Sequence, residues 1–394
     1  MVNGLKQTKR VLIVASTASM IDQFNRQNIK LLQELGYEVD VATNFKEPGT
    51  ITEERSKELV RFLEDSSVDC YQIDFDRKIT NVKAIFKAML QLDSVFRGKR
   101  EAVNKKSHKV YCAYTFMHCH SPIGAAVGRV VAKKNHVKTI YTAHGFHFFT
   151  GAPKKNWILY YPVEKILANL TDVLVTINTE DYKRAEKKLH AKKMYYVPGI
   201  GIDLDKFKGV SINREEKRRE LGVTDQEVLL LSIGELNENK NHKIVIDAIE
   251  KVKDFRIRYM IAGKGKEADN LRRKANEEDV NLTLLGFRTD IAELLYASDI
   301  FVLPSIREGL NVSLMEAMAS SLPCICSDIR GNQDLIEDSG GIRVNPYDID
   351  GFANAIHKMI NEDTEKYGEF NADKIQNFSL VTVNELMKKI YKEM

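Results

Sequence analysis

Two glutamates, Glu308 and Glu316, lie where an apolar strand pattern over residues 299–305 changes into a helical pattern over 312–319. Backbone N–H groups at a helix start have no intrahelical acceptor, and the helix dipole adds roughly half a positive charge there, so this turn should bind an anion. Glu308 could accept hydrogen bonds from sugar hydroxyls. Glu316, about two turns further along at 3.6 residues per turn, could accept from a ribose diol. The pair predicts a nucleotide-sugar site, although a solvated helix residue and a simple partner of the helix dipole would give the same pattern.

A glycine and a lysine follow a second apolar strand pattern, which covers residues 228–233. Gly234 comes directly after this strand, and Lys240 lies near the next predicted helix start. A cation there could neutralise a diphosphate leaving group, because a hydrogen bond to a charged group contributes about 1.5–3 kcal/mol. Alone the pattern is weak, since glycine and lysine are common in loops. The predicted nucleotide-sugar contacts are Gly234, Asn239, Lys240, Gly263, Phe287, Arg288, Glu308, Gly309, Leu310, Asn311 and Glu316.

Histidines gather near two further strand ends in the first half of the chain. His118 and His120 would alternate across a strand, and no carboxylate accompanies them at ligand spacing, so a zinc site is not favoured. A neutral imidazole that hydrogen bonds the sugar or the leaving group fits better, and His144 is our choice because Gly145 beside it lets a ligand approach the backbone. Packed core histidines are the alternative. His120, Ser16 and Thr17 are assigned to the acceptor side.

No metal and no cofactor are expected. Asp-x-Asp occurs at residues 74–76, 203–205 and 348–350, but none of these pairs has a strand-end context suited to a metal-bound diphosphate. The cation role is therefore given to Lys240 and to helix dipoles. The five cysteines are scattered, and the spacing in Cys324-Ile-Cys326 is that of a strand, so all are interpreted as reduced packing residues.

The net charge of +4 is unevenly divided along the chain. The first 200 residues hold 32 Lys and Arg against 20 Asp and Glu, whereas the remainder holds 27 against 35. We expect the basic half to face an anionic membrane surface or a pyrophosphate-bearing acceptor, with a merely solvated face as an equal alternative. No nucleic-acid-binding motif accompanies the lysines, so nucleic acid is not expected. No stretch approaches the roughly 20 apolar residues of a membrane span, and no signal peptide precedes the first strand, which predicts a cytosolic protein.

Strand and helix patterns alternate along the chain, which predicts parallel, doubly wound sheets. Two domains are expected, because 394 residues exceed one hydrophobic core. The break lies at 197–203, where Pro198, Gly199 and Gly201 interrupt the periodicity. Strands are predicted at 11–15, 38–42, 109–113, 138–142, 173–177, 228–233, 258–262, 281–285, 299–305 and 323–327, and helices at 25–35, 122–134, 213–221, 312–319 and 382–391.

Taken together, these segments resemble the retaining GT-B glycosyltransferases of family 4, in particular the bacterial capsule and exopolysaccharide enzymes. The resemblance covers nearly the whole chain and rests on residues 118–122, 141–148, 197–203, 234–241, 304–309 and 316–319. It implies an α/β fold of two Rossmann-like doubly wound domains that face a cleft. Residues 1–203 would bind the acceptor, residues 204–372 the nucleotide-sugar donor, and a helix within 373–394 would pack back on the first domain.

The same resemblance implies roles for individual residues. Glu316 would bind the ribose, Glu308 the donor sugar and Lys240 the diphosphate, with His144 near the reacting centre. The expected reaction transfers a hexose or N-acetylhexosamine, with retention, from a nucleotide-diphosphate sugar, by preference UDP-linked, to a glycan on a polyprenyl diphosphate at the inner membrane surface. Glu235 stands where many relatives carry arginine. A sugar-nucleotide epimerase and a catalytically silent, nucleotide-sugar-binding partner subunit are the alternatives.

Overall fold

The structure is a computed structural model that describes residues 9–76, 79–98, 114–209 and 212–394. The chain divides into two compact units. Unit 1 comprises Met1–Val197 with Asn384–Met394, and unit 2 comprises Pro198–Val383. Each unit contains one parallel sheet whose strands alternate with helices along the chain, so the predicted doubly wound α/β class is confirmed.

In unit 1 the described residues form a seven-stranded sheet in the order β3-β2-β1-β4-β5-β6-β7. The direction of winding reverses between β1 and β4. The strands are β1 (Arg10–Val14), β2 (Glu38–Thr43), β3 (Asp69–Gln72), β4 (Phe116–His120), β5 (Lys138–Ala143), β6 (Val173–Thr176) and β7 (Lys193–Tyr196). The helices are α1 (Ala18–Phe24), α2 (Arg26–Glu34), α3 (Glu53–Asp65), α4 (Val82–Phe96), α5 (Pro122–Lys134), α6 (Lys154–Ala168) and α7 (Thr179–Lys188).

Unit 2 has a six-stranded sheet in the order β10-β9-β8-β11-β12-β13, with the reversal between β8 and β11. The strands are β8 (Val228–Ile233), β9 (Ile257–Ala262), β10 (Leu282–Gly286), β11 (Ile300–Leu303), β12 (Cys324–Ser327) and β13 (Gly341–Val344). The helices are α8 (Arg214–Glu220), α9 (Lys243–Val252), α10 (Ala268–Glu277), α11 (Ile291–Ala297), α12 (Val312–Ala319), α13 (Asn332–Leu335), α14 (Ile349–Asn361), α15 (Glu365–Lys374) and α16 (Leu380–Lys392), with short 3-10 turns at Leu204–Lys206 and Ile375–Phe378.

The central strands of unit 2 are buried on both faces, which explains their unbroken apolar sequences. Leu231 and Leu303 contribute to one core cluster, while their neighbours Leu230 and Val302 contribute to another. A parallel sheet covered by helices needs apolar side chains at every position rather than at alternate ones. The same pattern made these strands recognisable in the sequence.

Most predicted elements match the observed bounds within a few residues, and one differs for a reason visible in the structure. The helix predicted at 25–35 is observed as α2, and a further helix, α1, precedes it. Helix α1 has only seven residues, and the side chain of Thr17 at its N-cap makes no capping hydrogen bond, although threonine is a favoured N-cap residue. The strand predicted at 109–113 lies outside the described residues, as do Cys112 and the lysines at 99, 105, 106 and 109.

The two units divide at 197/198, six residues before the predicted boundary at 203/204. Ile202 pairs with the segment after the Ile375–Phe378 turn, because its N–H donates to Phe378 O at 3.0 Å and its carbonyl accepts from Leu380 N at 2.8 Å. Residues 198–203 therefore belong to unit 2. The return to unit 1 begins at Asn384, inside α16, rather than at the predicted 373. None of the helices described is long and apolar enough to cross a bilayer.

Candidate functional site

The loops that follow β8 and β11 are bonded to each other at the reversal of strand order in unit 2. Asn239 Nδ2 donates to Arg307 O at 3.0 Å, and Ile306 N donates to Asn239 O at 2.8 Å. The buried amide of Asn241 also donates to Pro304 O at 3.2 Å. Ligands of doubly wound sheets bind where the strand order reverses. These bonds therefore fix the two loops at the expected ligand position.

Lys240 and Glu308, predicted from separate motifs, form an ion pair across these loops. Lys240 Nζ lies 2.8 Å from Oε1 of Glu308, and the two side chains are only 17% and 14% exposed. An ammonium group has three donors and a carboxylate has two acceptor oxygens, so the mutual contact leaves hydrogen-bonding capacity on both. The pair can thus offer N–H donors to a phosphate and an oxygen to sugar hydroxyls side by side.

Two of the predicted glycines permit close packing at this edge of the sheet. A Cβ at Gly234 would lie 3.1 Å from Cε of Lys240, so the lysine side chain lies directly over this glycine. A Cβ at Gly263 would lie only 1.8 Å from Gly234 O, and Gly263 N donates to Gly286 O at 2.8 Å. Gly263, predicted as a ligand contact, therefore has its N–H bonded within the protein and lets the loops after β8 and β9 approach each other.

The turn before α12 keeps free backbone donors, as the sequence led us to expect. Asn311 Oδ1 accepts from Leu314 N at 3.0 Å and caps the helix. Within the described residues, the N–H groups of Gly309, Leu310 and Asn311 donate to no protein acceptor. Such groups at a helix N-terminus suit an anion. The Leu310 side chain, by contrast, packs toward Gly199, where a Cβ would lie 2.6 Å from its Cδ2.

Arg330 contacts the backbone of Glu308 and was not singled out from the sequence. Its Nε donates to the backbone oxygen of Glu308 at 3.2 Å, and the residue is buried. Gly331 has a left-handed φ of +81°, and a Cβ there would lie 2.1 Å from Gly309 O, so glycine is required at this position. The only signal in the sequence was the Arg-Gly pair shortly after β12, at the same sheet edge as Glu308.

Glu316 lies partly buried on α12 and has no hydrogen-bonding partner for its carboxylate among the described residues. Burial raises the pKa of Glu316 to about 7, and the nearby Lys206 only partly offsets this. A carboxylate without a partner can accept two hydrogen bonds, which is what a ribose diol would donate. The structure thus leaves the predicted acceptor available.

Phe287 and Arg288 follow β10 and, within the described part of the chain, do not contact the ion pair of Lys240 and Glu308. The Arg288 guanidinium bonds to Asp290 through Nε at 2.7 Å and reaches Glu220 at 3.3 Å. These carboxylates hold the pKa of Arg288 above its usual value. Phe287 is 73% exposed. Arg288 is therefore occupied by neighbouring acids, and no contact joins it to Lys240 or Glu308.

In unit 1, Ser16 and Thr17 lie at the reversal between β1 and β4. Ser16 Oγ lies 2.7 Å from Ser121 Oγ and accepts from Gly124 N at 2.9 Å. Thr17 Oγ1 lies 3.0 Å from Ser19 Oγ. Both predicted acceptor residues are buried. The Ser16 hydroxyl holds the loop after β1 against the start of α5, whereas the Thr17 hydroxyl bonds to Ser19 in α1.

The three histidines singled out in the sequence, His118, His120 and His144, divide into a pair with unpartnered outer nitrogens and one core residue. His120 Nδ1 lies 3.0 Å from His144 Nε2, and the outer nitrogens, His120 Nε2 and His144 Nδ1, are covered and have no protein partner in the part of the chain described. Burial lowers the pKa of His144 to about 4, and burial with the neighbouring histidines lowers that of His120 well below 6.5. Both rings are therefore neutral near pH 7. His118 bonds Tyr391 at 3.0 Å and Thr142 at 2.8 Å, as a packed core histidine would.

No three His, Cys, Asp or Glu side chains converge as a metal-binding group in the described ranges. The cysteines at 70, 119, 324 and 326 are buried and carry free thiols.

Two family models match the chain, one mainly over unit 1 and one within unit 2. The model of glycosyltransferase family 4 matches residues 24–206, and that of glycosyl transferases group 1 matches residues 213–376. The sequence is 32% identical to EpsD of Bacillus subtilis (strain 168), which is named as a glycosyltransferase, over 98% of this chain and 96% of the relative. It is 27% identical to the Escherichia coli UDP-Gal:alpha-D-GlcNAc-diphosphoundecaprenol alpha-1,3-galactosyltransferase, over 95% and 94% of the two chains.

Solved structures with the same fold include HepE of Anabaena in complex with UDP and glucose. It superposes with a TM-score of 0.73 over 98% of this chain and 100% of that chain, at 17% identity. A glycosyltransferase of Rickettsia africae gives a TM-score of 0.74 at 18% identity, with 98% of each chain covered.

Proposed function

The chain belongs to the family 4 glycosyltransferases, and on this basis we propose that it transfers a hexose or N-acetylhexosamine from a UDP-linked donor to a glycan on a polyprenyl diphosphate. The transfer retains the anomeric configuration and serves capsule or exopolysaccharide synthesis at the cytosolic membrane surface. Support for the donor and the acceptor comes from the name of the E. coli relative, which specifies UDP-Gal and a diphosphoundecaprenol-linked sugar, and from the UDP bound to HepE.

The observation that carries the proposal is the ion pair of Lys240 and Glu308 at the reversal of strand order in unit 2. We assign the free N–H donors of Lys240 to the diphosphate and the second oxygen of Glu308 to the donor sugar. The free backbone N–H groups of residues 309–311 add positive potential, and Glu316 accepts from the ribose. No metal is needed in this scheme, because these groups supply the positive charge.

In the reaction, the bond between the anomeric carbon and the diphosphate oxygen breaks, and its electron pair stays on the diphosphate. The acceptor hydroxyl oxygen bonds to that carbon on the same face, and the hydroxyl proton passes to the departing diphosphate. Donors placed in advance where negative charge develops stabilise such a transition state most. His144, neutral and with Nδ1 unpartnered, is assigned to hydrogen bond the reacting groups, with His120 holding its ring.

The test measures UDP release from a panel of nucleotide sugars, with membrane extract as the source of acceptor. Lys240→Met and Glu308→Gln should each lower turnover about 100- to 1,000-fold, the usual effect of removing one transition-state hydrogen-bonding group. Lys243→Met and Glu238→Gln are matched controls, because both residues are exposed near the same loop, and they should retain turnover. Circular dichroism checks that all four variants are folded.

Near-normal turnover in both Lys240→Met and Glu308→Gln would refute the assigned site. Conversion of the donor without any acceptor would instead identify an epimerase, and UDP binding without UDP release from any donor would identify a silent subunit.

A further inference from the structure

Three helices of unit 1, α4, α5 and α6, expose only apolar side chains and lysines. All three lie within the described residues, and 15 of their residues are exposed. Seven of these are lysine and eight are Val, Leu, Ile, Phe or Pro, with no acid, amide or hydroxyl group among them. Helix α10 in unit 2 is the opposite case, since its exposed residues are all polar and carry both signs of charge. The composition of the α4–α6 face therefore differs from that of a helix such as α10.

An apolar groove of about 320 Å³ lies among these helices. Its walls and floor include Ile85 and Met89 of α4, Ile123 and Val130 of α5, and Val163 and Ile166 of α6. On the same helices Phe86 is 61% exposed and Ile158 is 76% exposed. Single exposed apolar residues are ordinary, but a group of them around an apolar groove marks a binding surface.

Most of the positive charge of this face is not neutralised locally. Two of its seven exposed lysines form ion pairs, Lys87 with Asp74 at 2.6 Å and Lys134 with Asp93 at 2.9 Å. The only acids on the three helices are Asp93 and Glu164, and both are buried and paired, with Lys134 at 2.9 Å and Arg129 at 2.9 Å respectively. Among the described residues no carboxylate lies within ion-pair distance of Lys83, Lys133, Lys154, Lys155 or Lys165. The face therefore offers an apolar centre together with uncompensated ammonium groups.

We propose that the α4–α6 face docks on the surface of an anionic lipid bilayer. The apolar side chains enter the boundary between headgroups and acyl chains, and the lysines contact lipid phosphates. Interfacial helices combine lysine with large apolar residues in this way. Trp157 and Tyr160 on α6 are of the type enriched at membrane interfaces. This inference deepens the proposed function, since a polyprenyl-linked acceptor lies in the membrane, but docking needs neither donor nor acceptor.

Other occupants fit the face less well. Protein interfaces are depleted of lysine and carry about one hydrogen bond per 100–200 Å², which a surface of aliphatic groups and lysines supplies poorly. In a two-fold symmetric dimer the same patch would meet itself, so lysines would face lysines. In a bilayer rich in anionic lipid, the lysines would instead contact negatively charged lipid phosphates.

The test is flotation of the full chain with vesicles of phosphatidylcholine alone or with 30% phosphatidylglycerol. The protein should float with the anionic vesicles, and added salt should weaken binding. Phe86→Glu should weaken it at least tenfold. Lys154→Glu combined with Lys155→Glu should weaken it about 25-fold or more, since each lysine near an anionic surface contributes about fivefold. Phe255→Glu and Lys366→Glu in unit 2, at an apolar residue 94% exposed and at an exposed lysine, are the matched controls and should bind as wild type does.

Failure of the wild type to bind anionic vesicles, or equal binding by the face variants and the controls, would overturn the proposal. A light-scattering change from dimer to monomer in Phe86→Glu would show that a second copy covers the face instead. Calorimetry should show that every variant binds UDP as the wild type does. A wild-type protein that binds no UDP would count against the proposed function and not against docking.

Discussion

At the scale of single residues, the ionisation of Glu316 should make nucleotide binding depend on pH. Its pKa, raised by burial to about 7, makes the side chain a protonated carboxyl below neutrality and a carboxylate above it. A ribose diol donates hydrogen bonds, and the carboxylate accepts them more strongly than the protonated form. Binding of the nucleotide should therefore favour the ionised state and release a proton.

We expect the affinity for UDP to fall as pH drops from 8 to 6, by up to about tenfold per pH unit below the pKa of Glu316. Calorimetry across this range measures it. Glu316→Gln cannot ionise, so its affinity should be lower at pH 8 and nearly independent of pH. A pH profile of the variant that follows the wild type would show that another group titrates.

The raised pKa of Glu316 also predicts how the stability of the fold depends on pH. An acid whose pKa is raised in the folded state stabilises it below the unfolded pKa, near 4.3, and this contribution is lost as pH rises through about 7. Glu316→Gln should therefore be more stable than wild type at pH 8, by roughly 1–3 kcal/mol, which urea unfolding can measure. Weakened UDP binding in a more stable protein would separate the binding role from the fold.

A site residue could be predicted from the sequence only when its role did not depend on a distant partner. Lys240 and Glu308 could each be predicted from a strand end and a loop, because strand ends of a parallel sheet share one edge. The ion pair between them joins residues 68 positions apart, and only the structure shows it. Arg330 was not predicted, because its contact with this site is to the backbone oxygen of Glu308, which no residue type indicates. Arg288 was predicted as a ligand contact, and its bond to Glu220, 68 residues earlier in the chain, could not be predicted from the sequence.

At the scale of elements, α16 is the helix that begins in unit 2 and ends in unit 1. Its Tyr391 is fully buried in unit 1, and the hydroxyl lies 3.0 Å from His118 Nδ1. The end of the helix is also tied by Tyr195, whose hydroxyl donates to Glu393 at 2.7 Å on the surface. The two tyrosine hydroxyls thus make comparable contacts in buried and exposed surroundings.

Tyr391→Phe should destabilise unit 1 by about 1–3 kcal/mol, because it leaves a buried imidazole nitrogen without a partner. Tyr195→Phe is the matched control and should cost well under about 1 kcal/mol, since water can replace an exposed partner. Urea unfolding followed by the fluorescence of Trp157 in unit 1 reports both values. Equal losses in the two variants would mean that burial of the His118 contact contributes nothing.

Helices and strands could be predicted from the sequence where a local pattern of apolar residues was enough to identify them. The central strands β8 and β11 of unit 2 appeared as apolar runs, and α12 and α5 matched their predicted bounds. Strand β13, with the sequence Gly-Ile-Arg-Val, was not predicted. Helix α1, with only seven residues, was missed. The unit boundary differs from the prediction because Ile202 pairs with residues near 378–380, far along the chain. Long-range pairing of this kind has no local pattern.

At the scale of the whole molecule, each unit has its own sheet and its own core clusters. The sequence contains one tryptophan, Trp157, and it lies on α6 of unit 1. Tryptophan fluorescence therefore follows unit 1, whereas circular dichroism follows the helices of both units. The proposed UDP site is built entirely from residues of unit 2.

A ligand that binds one folded unit stabilises it by about 2.7 kcal/mol at a concentration 100 times its Kd. UDP should therefore raise the thermal midpoint of a transition seen by circular dichroism, while the midpoint reported by Trp157 moves much less. Glu316→Gln at pH 8 should reduce the first shift and leave the second unchanged. An equal rise in both midpoints would show either that the units unfold as one cooperative body or that UDP also binds unit 1. The Lys240→Met variant separates these cases, because cooperative unfolding would lose both shifts together, whereas a nucleotide site in unit 1 would keep the shift at Trp157.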